Sequence, residues 1–498
     1  MTTLFLSVQG LSPMHQATET ELINERLAQG HRVVLLQCDA CLLTCSLNNT
    51  HNLLGCAVCQ QRSRARLPAA VSCRTLDRSL FPNHAPVALP ATVDALMELT
   101  YEDINIGRGV VSSSISILRD YALDPRGKHR ELIELEICNA IGALLNYRAV
   151  LTEVAPTEVV LFNGRHAELW PMLELCKRLD IVFVCHERGG SVNHYQEFRN
   201  SLPHSIAYRK QLLREVWNAT DPGVRTEAAE GWFQSKRKGS TPDDRSYLDG
   251  MTQGQLPAGF DRKKHNIVVF NSSEDEMQAI AEWQTDLFRH QNDVIRALAG
   301  DLGSRPDVHL YVRMHPNLAV VDNQQTRELY ALRQDNLTVL PPRHPVDSYT
   351  LCEAADVILT FASTIGVEAT YWRTPSVLYG RAFYEGEDAV YEPQSYPELL
   401  ALLTTPGLPP KPRENALRYG YFVSHFGIPY RHARVVDPRT VYLADGSQVK
   451  RFTWGALGNL LRYLPQVPAW LRTHRIVTGS RLRLTQLTRL YSHLREKA

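Results

Sequence analysis

Apolar positions along the chain fall into short unbroken runs that alternate with stretches of helical spacing. LFLSVQG reads as a first strand, residues 15–28 as a helix, and RVVLLQ, after the turn at Gly30, as a second strand. This βαβ opening predicts a parallel sheet covered by helices. It recurs in TEVVLFNGR, the helical pattern HAELWPMLELCKRLD and the run IVFVCHERGG, whose β-branched residues suit strands buried on both faces. Residues 96–150 between them read as mainly helical. From 218 to 264 the chain turns polar, charged and turn-rich, which predicts a crossing between domains. A second alternating series follows: KHNIVVFNSS, a long helix over 275–302, VHLYVRMHPN, NLTVLPP, DVILTFAS, the helix TIGVEATYWR and PSVLYG. The expected class is α/β, with two doubly wound, Rossmann-like domains facing across a cleft. The expected boundaries are 1–217 for the first domain, 218–264 for the crossing, 265–430 for the second domain and 431–498 for a tail.

Composition excludes several classes. The chain has 498 residues, 44% apolar and 21% charged, with a net charge of +1, so no overall field recruits nucleic acid. No apolar run approaches the roughly 18 residues that span a bilayer. MTTLFLSVQGLSP lacks a basic leader region and a small-residue cleavage site, so it is expected to be a strand rather than a signal peptide, in a cytoplasmic protein. Neither the P-loop pattern nor the dinucleotide glycine fingerprint occurs.

A reducing compartment changes how the ten cysteines are read, because thiols there do not argue for disulfides. Five are scattered singly, whereas Cys38, Cys41, Cys45, Cys56 and Cys59 fall within 22 residues, together with His51. Two cysteines two residues apart can turn both sulfurs toward one ion, and Cys56 with Cys59 joined by two of the first group would complete a tetrahedron of thiolates. The partners are Cys38 or Cys41 with Cys45, with His51 as a substitute. The expected cofactor is a structural zinc ion, with an iron–sulfur cluster as the alternative. Four thiolates close the shell, so the centre braces a loop rather than reacting.

Chemistry in a doubly wound sheet lies where strands end. In the second series those ends carry Asn271, Ser272 and Ser273, then Arg313, His315 and Pro316, then Ser363 and Thr364. ASTIGVEAT places hydroxyls and backbone N–H groups at a helix start, an arrangement that attracts phosphate, with Gly366 expected to permit close approach. Arg313 and His315 add donors, and Glu368, one turn on, is placed to accept from ribose hydroxyls. Simple helix capping is the competing account of Ser363 and Thr364.

The pattern RMHPN followed by ADVILTFASTIGVEATYWRTPSVLYG resembles the donor half of GT-B glycosyltransferases, in particular the Kdo-transferase-like and sialyltransferase-like groups of bacterial capsule and lipopolysaccharide synthesis. The resemblance implies that His315, Ser363 and Thr364 hold nucleotide phosphates and that Glu368 meets the ribose. HQATETELINERL, the cysteine cluster, IGRGVVSSSISILRD, LFNGRHAELW and CHERGG resemble capsule-biosynthesis transferases, over roughly residues 1–405 in all. That resemblance treats Cys41 as an extra thiol and implies Cys38, Cys45, Cys56 and Cys59 as the ligands. The implied reaction moves a sugar from a CMP- or UDP-linked donor to a saccharide or lipid-linked acceptor without an obligatory catalytic metal. It needs a base for the acceptor hydroxyl, for which the first domain offers Glu187 and His186 in VCHERGG, and Glu19 or His15 in the first loop and helix. Glu19, Asn163 and Arg165 are the candidate acceptor-binding residues. Competing functions are a sugar-nucleotide epimerase of the same architecture, which needs no acceptor, and a non-enzymatic metal-thiol interaction protein.

The tail adds a further feature. Residues 448–498 hold ten Lys or Arg against one acid, interleaved with Leu, Trp, Phe and Tyr. Such a segment suits an anionic membrane surface, and it equally suits a helix packed back on the first domain.

Overall fold

The computed structural model describes residues 1–8, 10–65, 67–240, 248, 250–449 and 455–479. The chain forms two compact units, one of residues 1–118, 123–203 and 427–498, the other of 119–122 and 204–426.

In the first unit, β1 (Thr2–Ser7), β2 (Arg32–Gln37) and β3 (Ser72–Thr75) run parallel and build outward in one direction. On the other side of β1 lie β6 (Glu158–Phe162) and β7 (Val182–Arg188), also parallel, then β8 (His194–Arg199) and β14 (Ile428–Pro429), both antiparallel. The strand order therefore reverses between β1 and β6. Phe5, Val33, Leu35, Val160 and Val184 pack against Leu22 and Ile23 of the helix Pro13–Ala28, so the period-two pattern of each strand meets the helical stripe beside it. A two-residue hairpin, β4 (Thr100–Tyr101) with β5 (Ile104–Asn105), interrupts the region expected to be helical, before the helices Gly107–Leu118 and Arg130–Val154.

The second unit is a five-stranded parallel sheet in the order β11 (Leu337–Leu340), β10 (Val308–Arg313), β9 (His265–Phe270), β12 (Val357–Thr360), β13 (Ser376–Leu378). Ile267, Val269, Leu310, Val312 and Leu359 enter one core, while Val268, Phe270, Tyr311 and Ile358 enter another on the opposite face. Burial on both faces explains why these strands read as continuous apolar runs. Both units are Rossmann-like.

Several expectations are corrected. Residues 218–238 are no crossing: Pro222–Lys238 is a helix that packs Ala229, Trp232 and Phe233 against Tyr371, Leu417 and Phe422 within the second unit. The helix Ile206–Asn218 belongs there too, and the boundaries fall at 203/204 and 426/427 rather than at 217 and 430. The long helix expected over 275–302 is realised only as Gln291–Leu302, preceded by two short 3₁₀ turns. Glu274 stops it: its carboxylate accepts from the backbone N–H of Gln291 and lies 3.2 Å from His290, capping the later helix. The tail does not stand apart, since β15 (Ala433–Asp437) with β16 (Thr440–Leu443) packs on Met14 and Ala17, and β14, just ahead of it, joins the first sheet. Helices Gly455–Arg462 and Val467–Thr478 follow, and Ala456 and Tyr463 bury against Ala40, Leu53, Ala57 and Val58 beside the cysteine cluster. Lys450, Arg451, Phe452, Trp454 and the basic residues from Arg481 onward lie outside the described residues. Among the described residues, no helix is long and apolar enough to cross a membrane.

Candidate active site

In the second unit, Phe270, Arg313 and Thr360 stand in register across β9, β10 and β12, so the residues that follow emerge together at the carboxyl edge. The strand order reverses between β9 and β12, and a crevice at such a reversal is where open α/β sheets take ligands. A pocket of about 130 Å³ opens there, lined by Asn271, Arg313, His315, Pro316, Ser363, Thr364 and Glu368 among others. It is smaller than the roughly 300–1,000 Å³ of a complete small-molecule site, a size that suits phosphoryl groups rather than a whole nucleotide sugar.

The lining residues differ in how far their polar atoms are already engaged. Asn271 is 1% exposed; its Oδ1 accepts from the His315 backbone N–H at 2.7 Å, and its Nδ2 is buried with no hydrogen-bond partner. A buried amide left without a partner is costly, and a bound oxygen would satisfy it. His315 accepts the Asn317 N–H on Nδ1 at 3.2 Å, which assigns the neutral ring's proton to Nε2 as a donor. Arg313 is engaged elsewhere. It is 3% exposed, donates to the carbonyls of Pro341 (2.7 Å) and His344 (3.1 Å), and burial pushes its guanidinium down to about 10. It staples the loop after β11 and lends the pocket its field, not its hydrogen bonds.

Glu368 is likewise committed. Its two oxygens accept from Thr364 Oγ1 at 2.7 Å and Tyr349 Oη at 2.5 Å, and the side chain is 3% exposed. Ser363 Oγ accepts from the Ile365 N–H at 3.4 Å, a long capping contact. Gly366 is required for a different reason from the one expected: a Cβ there would meet Tyr384 Oη at 2.6 Å and Thr360 Oγ1 at 2.8 Å, so the close approach is to Tyr384, which donates to the Ser363 carbonyl. Ser272 and Ser273 lie off the pocket lining. Ser273 donates to Asp275 and receives Arg119 Nη2 at 3.3 Å, and Arg119 also pairs with Asp275 and donates to the Asn317 carbonyl. Residues 119–122 thus anchor the loops after β9 and β10. Tyr349 and Lys236, both on the lining, went unread in the sequence because they lie on helices rather than at strand ends.

The first unit repeats the arrangement with other chemistry. At its reversal, β6 delivers Asn163 and β7 delivers His186 and Glu187, paired in register through Phe162 and His186. Asn163, at φ 57° and followed by Gly164 at φ 91°, turns its Nδ2 to donate to Glu187 Oε2 at 3.0 Å, while the Arg188 N–H donates to Oε1 at 3.1 Å. The helix after β1 adds His15, because Ser12 caps the helix that begins at Pro13 and puts His15 in its first turn, its ring tilted against Phe162 with centroids 4.0 Å apart. His186 is 2% exposed, with Nδ1 unpartnered; burial, aided by His15, pushes its imidazole down to about 3. Burial also lowers His15, against the pull of Glu187. Both rings are neutral near pH 7, and a group with so low a pKa is a poor proton acceptor there. Glu187 is half-buried, with its carboxylate oriented by Asn163.

Arg165 donates to Ser112 Oγ (2.9 Å) and Ser116 Oγ (3.1 Å), which ties it to the helix Gly107–Leu118. Glu19 is interior, accepting from Ser7 Oγ (2.8 Å) and Gln16 Nε2 (3.4 Å), and burial pushes its carboxyl up to about 7. Among the described residues, no group of three or more His, Cys, Asp or Glu side chains is placed to hold a metal ion, the expected Cys38, Cys45, Cys56 and Cys59 included.

No protein-family model matches the chain, and no curated protein matches its sequence. Solved structures similar to it include the Thermosulfurimonas dismutans KpsC beta Kdo 2,4 transferase (14% identity, 61% of this chain and 86% of that one, TM-score 0.37). The beta Kdo 2,7 transferase of the same KpsC matches at 13% identity, over 64% and 89%, with a TM-score of 0.33. The Methanocaldococcus jannaschii UDP-GlcNAc 2-epimerase matches at 10% identity, over 84% and 98%, with a TM-score of 0.28. All three TM-scores are low.

Proposed function

We propose that the protein is a glycosyltransferase of the GT-B type. In this reading it moves a sugar from a CMP- or UDP-linked donor to a saccharide or lipid-linked acceptor in the building of bacterial capsule or O-antigen. The observation that carries the proposal is the pocket at the β9/β12 reversal, where the orphaned Asn271 amide and the His315 Nε2 donor converge with the Ser363 hydroxyl, beside a Thr364 hydroxyl that donates to Glu368. Donors set in advance where a phosphate leaves stabilise the charge that develops as the glycosidic bond breaks. Glu187 is assigned the acceptor proton, with Asn163 fixing its carboxylate and His186 and His15 packed behind it as neutral rings. Glu368 acts through Thr364, holding that hydroxyl in place, and meets no ribose oxygen unless Tyr349 or Thr364 releases it.

A lipid-linked acceptor and attachment to an anionic membrane surface belong to the same proposal. They are supported by the exposed Leu457, Leu461, Leu464 and Leu471 of the tail helices. The described basic residues contribute less, since Arg462 pairs with Asp39, Arg472 donates to the Asn83 carbonyl and Arg475 pairs with Glu131.

The test is a thermal-shift screen with CMP, UDP, GDP and their sugars, followed by turnover with candidate acceptors. Stabilisation by one nucleotide that His315→Ala abolishes, with transfer that depends on acceptor, is the expected result. Epimerisation of a nucleotide sugar without acceptor, or no nucleotide binding, overturns it.

A further inference from the structure

The helix Pro13–Ala28 serves two places in the first unit. His15, in its first turn, packs on Phe162 at the β1/β6 reversal. Gln16, Ala17 and Thr20 instead line a second cavity, of about 310 Å³, whose lining includes neither Asn163, His186 nor Glu187. Its other walls are the end of the helix Leu53–Arg64, through Gln61, Arg62 and Ser63, and the β15–β16 hairpin with the turn after it, through Leu443, Ser447 and Gln448. The volume is more than twice that of the β9/β12 pocket and falls within the roughly 300–1,000 Å³ of complete small-molecule sites. Packed interiors rarely leave so large a gap between neighbouring elements.

The gap is not the result of loose docking. Thr18 and Tyr430 share a hydrogen bond of 2.6 Å, the Glu21 carboxylate accepts from the backbone N–H groups of Arg431 (2.8 Å) and His432 (2.9 Å), and Val435 and Val441 bury against Met14 and Ala17. The hairpin is therefore fastened to the helix along the cavity's edge. The floor is fixed as well. Ser7 donates to Glu19 at 2.8 Å and lies 3.2 Å from Ser63 Oγ; Ser63 donates to Gln16 Oε1 at 3.3 Å, and Gln16 Nε2 returns to Glu19 at 3.4 Å. This closed ring sets Gln16 and Ser63, 8% and 2% exposed, at the base of the cavity. Glu19 stands behind them as a positioning residue. Ala65 and Gln448, both exposed, carry the lining out to solvent.

The lining selects a class of ligand. It presents the amides of Gln16, Gln61 and Gln448 and the hydroxyls of Thr20, Ser63 and Ser447, and among the described residues no carboxylate. The hydroxyl protons are already given to the Gln16 carbonyl (2.9 Å), to Gln16 Oε1 and to Asp445, so these oxygens face a ligand as acceptors. The Gln61 and Gln448 side chains have no hydrogen-bond partner among the described residues and offer donors and acceptors alike. Ala17, Leu67, Leu443 and Val449 supply apolar surface beside them. An apolar ligand would leave the polar groups unpaired, and a hard metal ion would lack anionic oxygens. A phosphate would face the C-terminal end of the helix Leu53–Arg64, whose dipole disfavours it, while Arg62 donates to the Gly10 and Leu11 carbonyls. Hydroxyls that donate and accept, carried on apolar C–H faces, match all of these groups.

We propose that this cavity is a saccharide-binding site, separate from the Glu187 centre, which takes sugar hydroxyls on the Gln16, Gln61 and Gln448 amides and on the Thr20 and Ser63 oxygens. It is defined by binding and does not rest on the reaction proposed above. The full-length chain is tested on an array of neutral and acidic bacterial surface glycans, followed by calorimetric titration of the strongest binder. At least one saccharide is expected to bind, about tenfold or more weakly in Gln61→Ala and not at all in Gln448→Trp, whose indole would block the mouth from an exposed position. Glu187→Gln should leave the affinity unchanged, and Gln448→Trp should keep the wild-type melting temperature and nucleotide binding. Should Gln448→Trp melt early, Gln61→Ala decides alone. No saccharide bound, full affinity in Gln61→Ala, binding kept by a stable Gln448→Trp, or binding lost in Glu187→Gln would each overturn the proposal; none of these results touches nucleotide binding in the second unit.

Discussion

The two sheets reverse their strand order at equivalent places, yet the residues gathered there are chemically opposite. At the β9/β12 reversal the lining presents donors, the Asn271 amide, the His315 Nε2–H and the Ser363 hydroxyl, while Glu368 is held by Tyr349 and by the Thr364 hydroxyl. At the β1/β6 reversal the available group is an acceptor, the Glu187 carboxylate, and both imidazoles beside it are kept neutral by burial. In the proposed reaction the first would meet negative charge and the second would take a proton. The same topology thus supports either half of a group transfer, and the residue after each strand decides which.

The comparison breaks most visibly at Glu187. Glu187→Gln keeps the Asn163 contact but cannot take a proton, so turnover is expected to fall by about 10²–10⁴-fold. Nucleotide binding, which belongs to the other unit, should stay unchanged by calorimetric titration. Turnover within threefold of wild type would remove Glu187 from the base role.

A second test lies in the pH dependence of the first unit. Glu19 has its folded pKa raised from 4.5 to about 7, so the folded chain keeps a proton that the unfolded chain releases. Its contribution is therefore fully present below pH 4.5 and is lost as pH rises toward 7, a change of about 3 kcal/mol at 1.36 kcal/mol per pKa unit. Glu19→Gln removes that penalty. Its melting temperature is expected to match wild type near pH 4.5 and to exceed it near pH 8; parallel curves for the two proteins would show that the carboxyl ionises freely in the folded state.

For the second unit the sharper probe is Asn271. Asn271→Leu removes both the clamp on the His315 N–H and the orphaned amide, so nucleotide affinity should drop by about tenfold to a hundredfold, or roughly 1–3 kcal/mol. Glu187-dependent proton transfer should not change once nucleotide is saturating.

How far the sequence reached is visible in these same residues. The strands and the residues at their ends were legible because a parallel sheet buried on both faces writes itself as apolar runs, and because ligand chemistry must follow the carboxyl edge. Asn163, His186 and Glu187 were read together for that reason, as were His315, Ser363 and Thr364. Commitment was not legible. Nothing local announces that Arg313 spends its guanidinium on the Pro341 and His344 carbonyls, or that Tyr349 occupies Glu368, since both partners come from another element. The helix expected over 275–302 failed likewise: its helical periodicity is real, but Glu274 captures the Gln291 N–H across 17 residues and starts the helix late. The reach of the second unit into 119–122 and of the first into 427–479 rests on long-range contacts with no periodic signature.

The smallest expected effect separates the two roles of Ser363. Its Oγ accepts from the Ile365 N–H at 3.4 Å, a long and therefore weak cap, so Ser363→Ala should lower stability by no more than about 0.5–1 kcal/mol. If the hydroxyl also donates to a phosphate oxygen, nucleotide affinity falls severalfold alongside that modest loss. Measured side by side, melting temperature and nucleotide titration then distinguish the cases. A lowered melting temperature with unchanged affinity makes Ser363 a helix cap alone, leaving the phosphate to Asn271 and His315. Reduced affinity at nearly constant melting temperature gives the hydroxyl to the ligand.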